Sequence, residues 1–288
     1  MKLHKAKLAA LASAALFSLN AAGTAEAAAP EKQLSLIAEQ AVAWNADFAD
    51  SLRDGDSFAI TDLDGNGRLE LLILKSVRNP IPEANANGSN RQKGMALVAS
   101  MPITLRPRGY EVSADGKRLE EIIFHYEDKI IPPNLTNINS GNAYYYADDK
   151  TRSYSISTLN RIGKLGFRMY KQVLSMKDGT MTVQTIGMEQ GQYGLFDDIA
   201  TAEAIIELHE DQYGKRIENQ QAFNEYVEAY HAGCDPAQVR VSWISAEELR
   251  PALKSTDTLR SLLSESWKEF RFGLKDKPDV KNKKNKNK

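Results

Sequence analysis

The stretch Asp62-Leu63-Asp64-Gly65-Asn66-Gly67-Arg68-Leu69-Glu70 lies between two apolar runs, Phe58-Ala59-Ile60 and Leu71-Leu72-Ile73-Leu74. Oxygen-bearing side chains recur at every second position, and glycine stands at the sixth, where a short loop has to turn sharply. A hard cation that takes six to eight oxygen ligands needs this pattern. The stretch reads as a calcium loop: Asp62, Asp64 and Asn66 offer side-chain oxygens, Arg68 its backbone carbonyl, and Glu70 a carboxylate at position nine. Asn-Gly and Asp-Gly pairs also make plain hairpin turns, but such a turn needs only two residues. Three carboxylates within nine residues repel one another unless a cation lies among them.

The loop is not that of a helix-loop-helix site. The twelfth position, which carries a bidentate Glu in an EF-hand, is Ile73 here, and the flanks are short and rich in strand formers rather than long amphipathic helices. The loop is therefore expected to join two strands, as a hairpin over residues 58–74. Acid or amide at positions one, three, five and nine between strands resembles the calcium hairpins of integrin-type FG-GAP repeats. A single copy is present, which argues against the propeller that several copies would build. The order of a helix, an Asp-x-Asp-Gly-x-Gly-x-x-Glu-Leu hairpin and strands joined by Asp-Gly turns more closely resembles a loose group of secreted bacterial proteins. Asn66 replaces the commoner Asp. The resemblance spans roughly residues 31–270 and implies one bound calcium.

Upstream, Leu34, Ile37, Ala41, Trp44, Phe48 and Leu52 recur at spacings of three and four. This predicts a helix over 31–53 with one apolar stripe, feeding directly into the hairpin. Before it, Lys2, Lys5 and Lys7 precede an apolar stretch from Leu8 to Leu19, and Ala25-Glu26-Ala27 follows. These are the three parts of a secretory signal, with cleavage expected after Ala27 and a mature chain from Ala28 that is secreted or periplasmic. The apolar stretch is too short to span a bilayer, and no later run approaches that length.

Downstream, residues 79–94 are rich in Pro, Asn, Gly and Ser and read as a long loop or lid. Strands are then expected at 95–100, 109–112, 119–126, 143–146, 152–158, 167–176, 181–188 and 204–210, paired through turns at 113–116, 148–150 and 177–179. Phe223, Tyr226, Val227 and Tyr230 predict a helix closed by Gly233. Val239, Val241 and Trp243 predict a strand with one buried face. Ser245 and Glu248 form a capping box for a short helix, and Leu259, Leu262, Leu263, Trp267 and Phe270 predict a last helix ending at Gly273. The expected fold is α+β: a single domain over 28–274, with an antiparallel β meander on which an N-terminal helix and C-terminal helices pack.

The 288 residues carry a formal charge of -1. Residues 275–288 contain seven Lys and two Asp, about +5, and the leader adds about +2, so the rest of the chain is near -8. The tail lacks apolar residues after Val280 and reads as a disordered Lys/Asn-rich arm that could attract an anionic surface. No pattern for specific nucleic-acid recognition is present. The single cysteine, Cys234, excludes an internal disulfide and reads as a small buried apolar residue. His125, His209 and His231 lack metal-ligand spacing and read as surface or strand-face residues. Acid pairs such as Glu120-Glu121 and Asp197-Asp198 read as solvated turn residues, and no nucleophile elbow, zincin, phosphate-loop or dinucleotide motif occurs. The expected role is a calcium-stabilised binding or envelope-associated protein. A secreted hydrolase with acidic residues converging under the 79–94 loop is the alternative, and no catalytic residue is identified.

Overall fold

The computed structural model describes residues 27–46, 52, 55–75, 106–126, 132–162, 166–193 and 204–275. The leader up to 26, the 79–94 loop, the expected strand at 95–100, Asp197-Asp198 and the tail from 276 lie outside the described residues.

Two sheets stack, with helices on the outer side of each. In the first sheet, β1 (Ser57–Thr61) and β2 (Glu70–Lys75) form the hairpin around the loop. It continues through β3 (Arg106–Val112) and β4 (Leu119–Glu121), each antiparallel to its neighbour. On its other edge it is closed by β13 (Ile244–Ser245). The two apolar runs do not alternate because both faces of β1 and β2 are covered. Phe58, Ile60, Leu71 and Ile73 pack with the helices, while Ala59, Leu72 and Leu74 point into the second sheet. The helical layer consists of α1 (Pro30–Glu39), α2 (Ala41–Ala46), α4 (Ala246–Ala252) and α5 (Thr256–Glu269).

The second sheet is larger. Strands β6 (Asn142–Tyr146), β7 (Thr151–Ile162), β8 (Gly166–Lys177), β9 (Thr180–Tyr193), β10 (Ala204–Asp211) and β11 (Arg216–Ile217) follow one another side by side, all antiparallel. Beyond β6 lie β12 (Asp235–Arg240) and β14 (Arg271–Leu274). A 3-10 turn, Leu135–Asn139, leads into β6. On the far side, α3 (Gln220–Tyr230) seats Phe223 so close to Gly187 of β9 that a Cβ there would meet the ring at 2.8 Å. Antiparallel sheets with a few helices, an α+β arrangement, match the expected class.

Several strands run a few residues longer than expected, and four further differences change the architecture. Of the helix expected over 31–53, residues 47–51 and 53 lie outside the described residues, and the described part forms two helices: the chain breaks at Gln40, whose side-chain oxygen accepts the Leu119 N–H at 3.3 Å. The break lets Trp44 fold back and donate its indole N–H to the Ile37 carbonyl at 2.9 Å. The strand expected over 119–126 changes sheets. Ile122 N–H donates to Gly109 O in the first sheet and Ile123 N–H to Gly179 O in the second. From there β5 (Ile123–Tyr126) runs parallel to β9, the one parallel pair among the described strands. The strand expected through Val239, Val241 and Trp243 begins earlier, at Asp235, and ends at Arg240, where Asn139 takes over the Val241 backbone at both its N–H and its carbonyl. The last helix ends at Glu269, and Gly273 lies in β14, which continues the second sheet. The Ser245–Glu248 capping box forms as expected.

Candidate metal centre

The loop closes on a direct cross-strand pair, Thr61 opposite Glu70. Glu70 is thus the first residue of β2 and fully buried. Its carboxylate accepts the Thr61 hydroxyl at 2.7 Å and the Leu63 N–H at 2.9 and 3.0 Å. Within the loop, Asp62 accepts the Gly67 N–H at 3.3 Å, Asp64 the Asn66 N–H at 3.1 Å, and the Asn66 side-chain oxygen the Arg68 N–H at 2.7 Å. Gly65 and Gly67 sit at φ +74° and +81°, the left-handed region that glycine enters at least cost.

Asp62, Asp64 and Glu70 each offer a carboxylate oxygen within 4.8 Å of the others. Oxygens held about 2.3–2.6 Å from one calcium ion lie no farther apart than about 5 Å. The donor set is hard, anionic and of the right span. Burial raises the pKa of all three, furthest for Glu70. Arg152 counteracts the rise at Asp62, whereas the neighbouring Asp62 charge adds to it at Asp64. Negative charge only partly offset by Arg152 and Arg68 thus concentrates in a partly desolvated space, which favours either protons or a cation.

Of the expected ligands, Asn66 is placed differently. Its Nδ2, not its oxygen, lies between two carboxylates, donating to Asp64 at 2.8 Å and to Glu111 at 2.9 Å. Asn66 therefore reaches a metal through its side-chain oxygen only after the amide turns over. Arg68 directs its guanidinium to Glu111 at 2.9 Å.

Glu111 escaped the sequence reading. It lies on β3 directly opposite Glu70, is almost completely buried, and burial lifts its pKa to about 7. The available signal was a carboxylate between Tyr110 and Val112 in a short strand, but the register that brings it to the loop is set by a pairing across 41 residues. Arg152 and Tyr154 of β7 were also missed. Arg152 donates to the Asp62 carbonyl at 2.8 Å, covers Gly65, and stacks 4.3 Å from the Phe272 ring centre. The Tyr154 hydroxyl donates to the Leu63 carbonyl at 2.5 Å. From the β8–β9 turn, the Asp178 backbone N–H reaches Asp64. The loop sits where the two sheets meet and is held from both.

The histidines are not brought together. His125 is exposed on β5 and His209 lies on β10, both within the expected surface or strand-face placements, but His209 is buried there, and His231 is buried at the end of α3. His209 and Glu189, both buried, belong to a polar row under α3 that reaches the surface: Lys171 pairs with Glu189 at 3.4 Å, the exposed Gln220 donates to Glu189 at 2.7 Å, and His209 meets Gln220 at 3.1 Å. His231 stacks on Tyr144 at 3.6 Å, and burial lowers its pKa to about 4, so the ring is neutral at physiological pH. Cys234, expected to be buried, is half-buried beside the Tyr146 phenol. Glu120 pairs with Arg118 on the surface. No protein-family model, curated protein or solved structure matches the chain. No helix among the described residues is long and apolar enough to cross a membrane.

Proposed function

We propose that the protein is an exported binding or envelope-associated protein stabilised by one calcium ion. Asp62, Asp64, Asn66 and Glu70 would contribute side-chain oxygens and Arg68 its carbonyl. The observation that carries this reading is the convergence of three carboxylate donors within 4.8 Å in a partly desolvated loop. The ion would supply charge compensation and no chemistry. Three carboxylates without a bidentate twelfth residue give an affinity on the order of 10⁻⁵ to 10⁻³ M, suited to an extracytoplasmic compartment. The Lys-rich tail would add a salt-sensitive attraction to anionic surfaces.

Calcium at about a hundredfold excess over its Kd is expected to add about 2.7 kcal/mol to stability, or about 5–10 °C in Tm for a domain of this size. Asp62→Ala or Asp64→Ala should remove that increment while the fold persists. Scanning calorimetry in calcium and in chelator measures it, and identical midpoints would return the stretch to an ordinary hairpin. A second variant separates charge from geometry. Asn66→Asp replaces the amide hydrogens between Asp64 and Glu111 with another carboxylate, so in chelator it should lower Tm. In calcium it should bind more tightly than the parent. Titration calorimetry giving weaker binding would exclude position 66 from the shell.

A further inference from the structure

Ala27 and Ala28, either side of the expected cleavage point, are both within the described fold and only partly exposed. The Ala28 carbonyl accepts the side-chain N–H of Gln33 at 2.5 Å. The same amide group donates to the Gly67 carbonyl at 2.8 Å, and its oxygen accepts the Leu69 N–H at 2.8 Å. Gln33, 1% exposed, thus ties the segment before α1 to the second half of the loop with one buried side chain. The alanines also fill the space that side chains on two glycines would occupy. A Cβ on Gly67 would lie 3.2 Å from that of Ala27, and one on Gly116, in the β3–β4 turn, 3.3 Å from that of Ala28. The next carbonyl, Ala29, accepts the Lys32 and Gln33 N–H groups as α1 begins.

A peptidase takes its substrate as an extended strand with several residues on each side of the bond free. Backbone hydrogen-bonded into a fold is not free, and the cutting rate then follows the fraction of molecules in which the segment has opened. We propose that the Ala27–Ala28 bond is cut only before the chain folds, and that folding then latches the new terminus through Gln33 beside the loop. This rests on the export reading above, which places cleavage there. Hydrolysis adds one water across the bond, leaving a carboxylate on the departing Ala27 and an ammonium on Ala28. The Ala28 carbonyl that Gln33 holds is retained. The chain therefore has to reach the peptidase unfolded.

The test uses the full 288-residue chain and a purified bacterial leader peptidase. Chain diluted from urea directly into peptidase is compared with chain refolded first, and product is followed by mass. The refolded chain should be cut at least about tenfold more slowly. A refolded Gln33→Ala chain should regain a rate close to that of the unfolded one, with near-ultraviolet circular dichroism reporting that it is folded. Equal rates for the unfolded and refolded parent would overturn the proposal and leave the export reading standing. No cleavage after Ala27 in either state would remove the export reading and the proposal together. The parent comparison does not depend on the variant folding, and a folded Gln33→Ala chain as protected as the parent would overturn the latch.

Discussion

Replacing Tyr154 by alanine is expected to destabilise the protein by about 3–5 kcal/mol, as for other large aromatic side chains removed from a packed core. The ring is 1% exposed and lies between the sheets, meeting Phe272 edge-on at 6.2 Å. Tyr154→Phe separates the ring from its hydroxyl. It keeps the packing and leaves the Leu63 carbonyl without that donor, for a cost of about 1–3 kcal/mol. Leu63 also donates its N–H to Glu70, so the phenylalanine variant should weaken calcium binding as well as stability. Urea unfolding of both variants, with and without calcium, measures this. Equal losses for the two would mean that the ring contributes nothing beyond its hydroxyl.

Calcium affinity is expected to rise by about tenfold per pH unit for each proton displaced, across the window in which the raised carboxyls ionise. Without metal, burial lifts Asp62, Asp64 and Glu70 above their ordinary values and Glu111 from 4.5 to about 7. A group raised in the folded state contributes stability that is fully present below its unfolded pKa and is lost as pH rises through the folded one. For Glu111 that loss runs from about pH 4.5 to about 7. In chelator, stability should therefore fall over this range. A cation favours the ionised forms, so in calcium the fall should be smaller or reversed, and the gap between the two conditions should widen with pH. Calorimetric unfolding at half-unit intervals tests this. A gap independent of pH would mean that metal binding displaces no protons and that these carboxyls do not face it.

Local patterns carried much of the fold. The hairpins β6–β7 and β8–β9 were legible because Asp148-Asp149-Lys150 and Lys177-Asp178-Gly179 punctuate apolar runs, and the structure uses those turns with Lys150 and Asp178 at positive φ. The convergence of Asp62, Asp64 and Glu70 was legible because the three lie within nine consecutive residues. Glu111, Arg152 and Asp178 were not, since each reaches the loop through a strand pairing or sheet stacking far away in sequence. The same limit hid the step at Ile122–Ile123, where consecutive N–H groups serve different sheets. No residue type marks that point, because Ile suits either sheet equally well. His209 lies on a strand face, as one of the two expected placements has it, but its burial and that of His231 were not legible, because no periodicity places α3 over the outer face of the second sheet.

The first sheet is closed by residues from the opposite end of the chain. Phe58 of β1 pairs with Ile244 of β13, and Ser266 of α5 accepts the Ile60 N–H at 3.0 Å while donating to Ser242 O at 2.7 Å. Contacts this distant in sequence form late, because the intervening loop has to close before they contribute. During synthesis the β1–β2 hairpin, whose strands are almost wholly buried in the finished fold, waits for partners that are made last. A chain that stops short of residue 244 leaves the outer edge of β1 without its natural neighbour. Open backbone beside Phe58, Ala59 and Ile60 is a template for edge-to-edge pairing with another copy, so C-terminal truncation creates an aggregation hazard before it costs much of the second sheet.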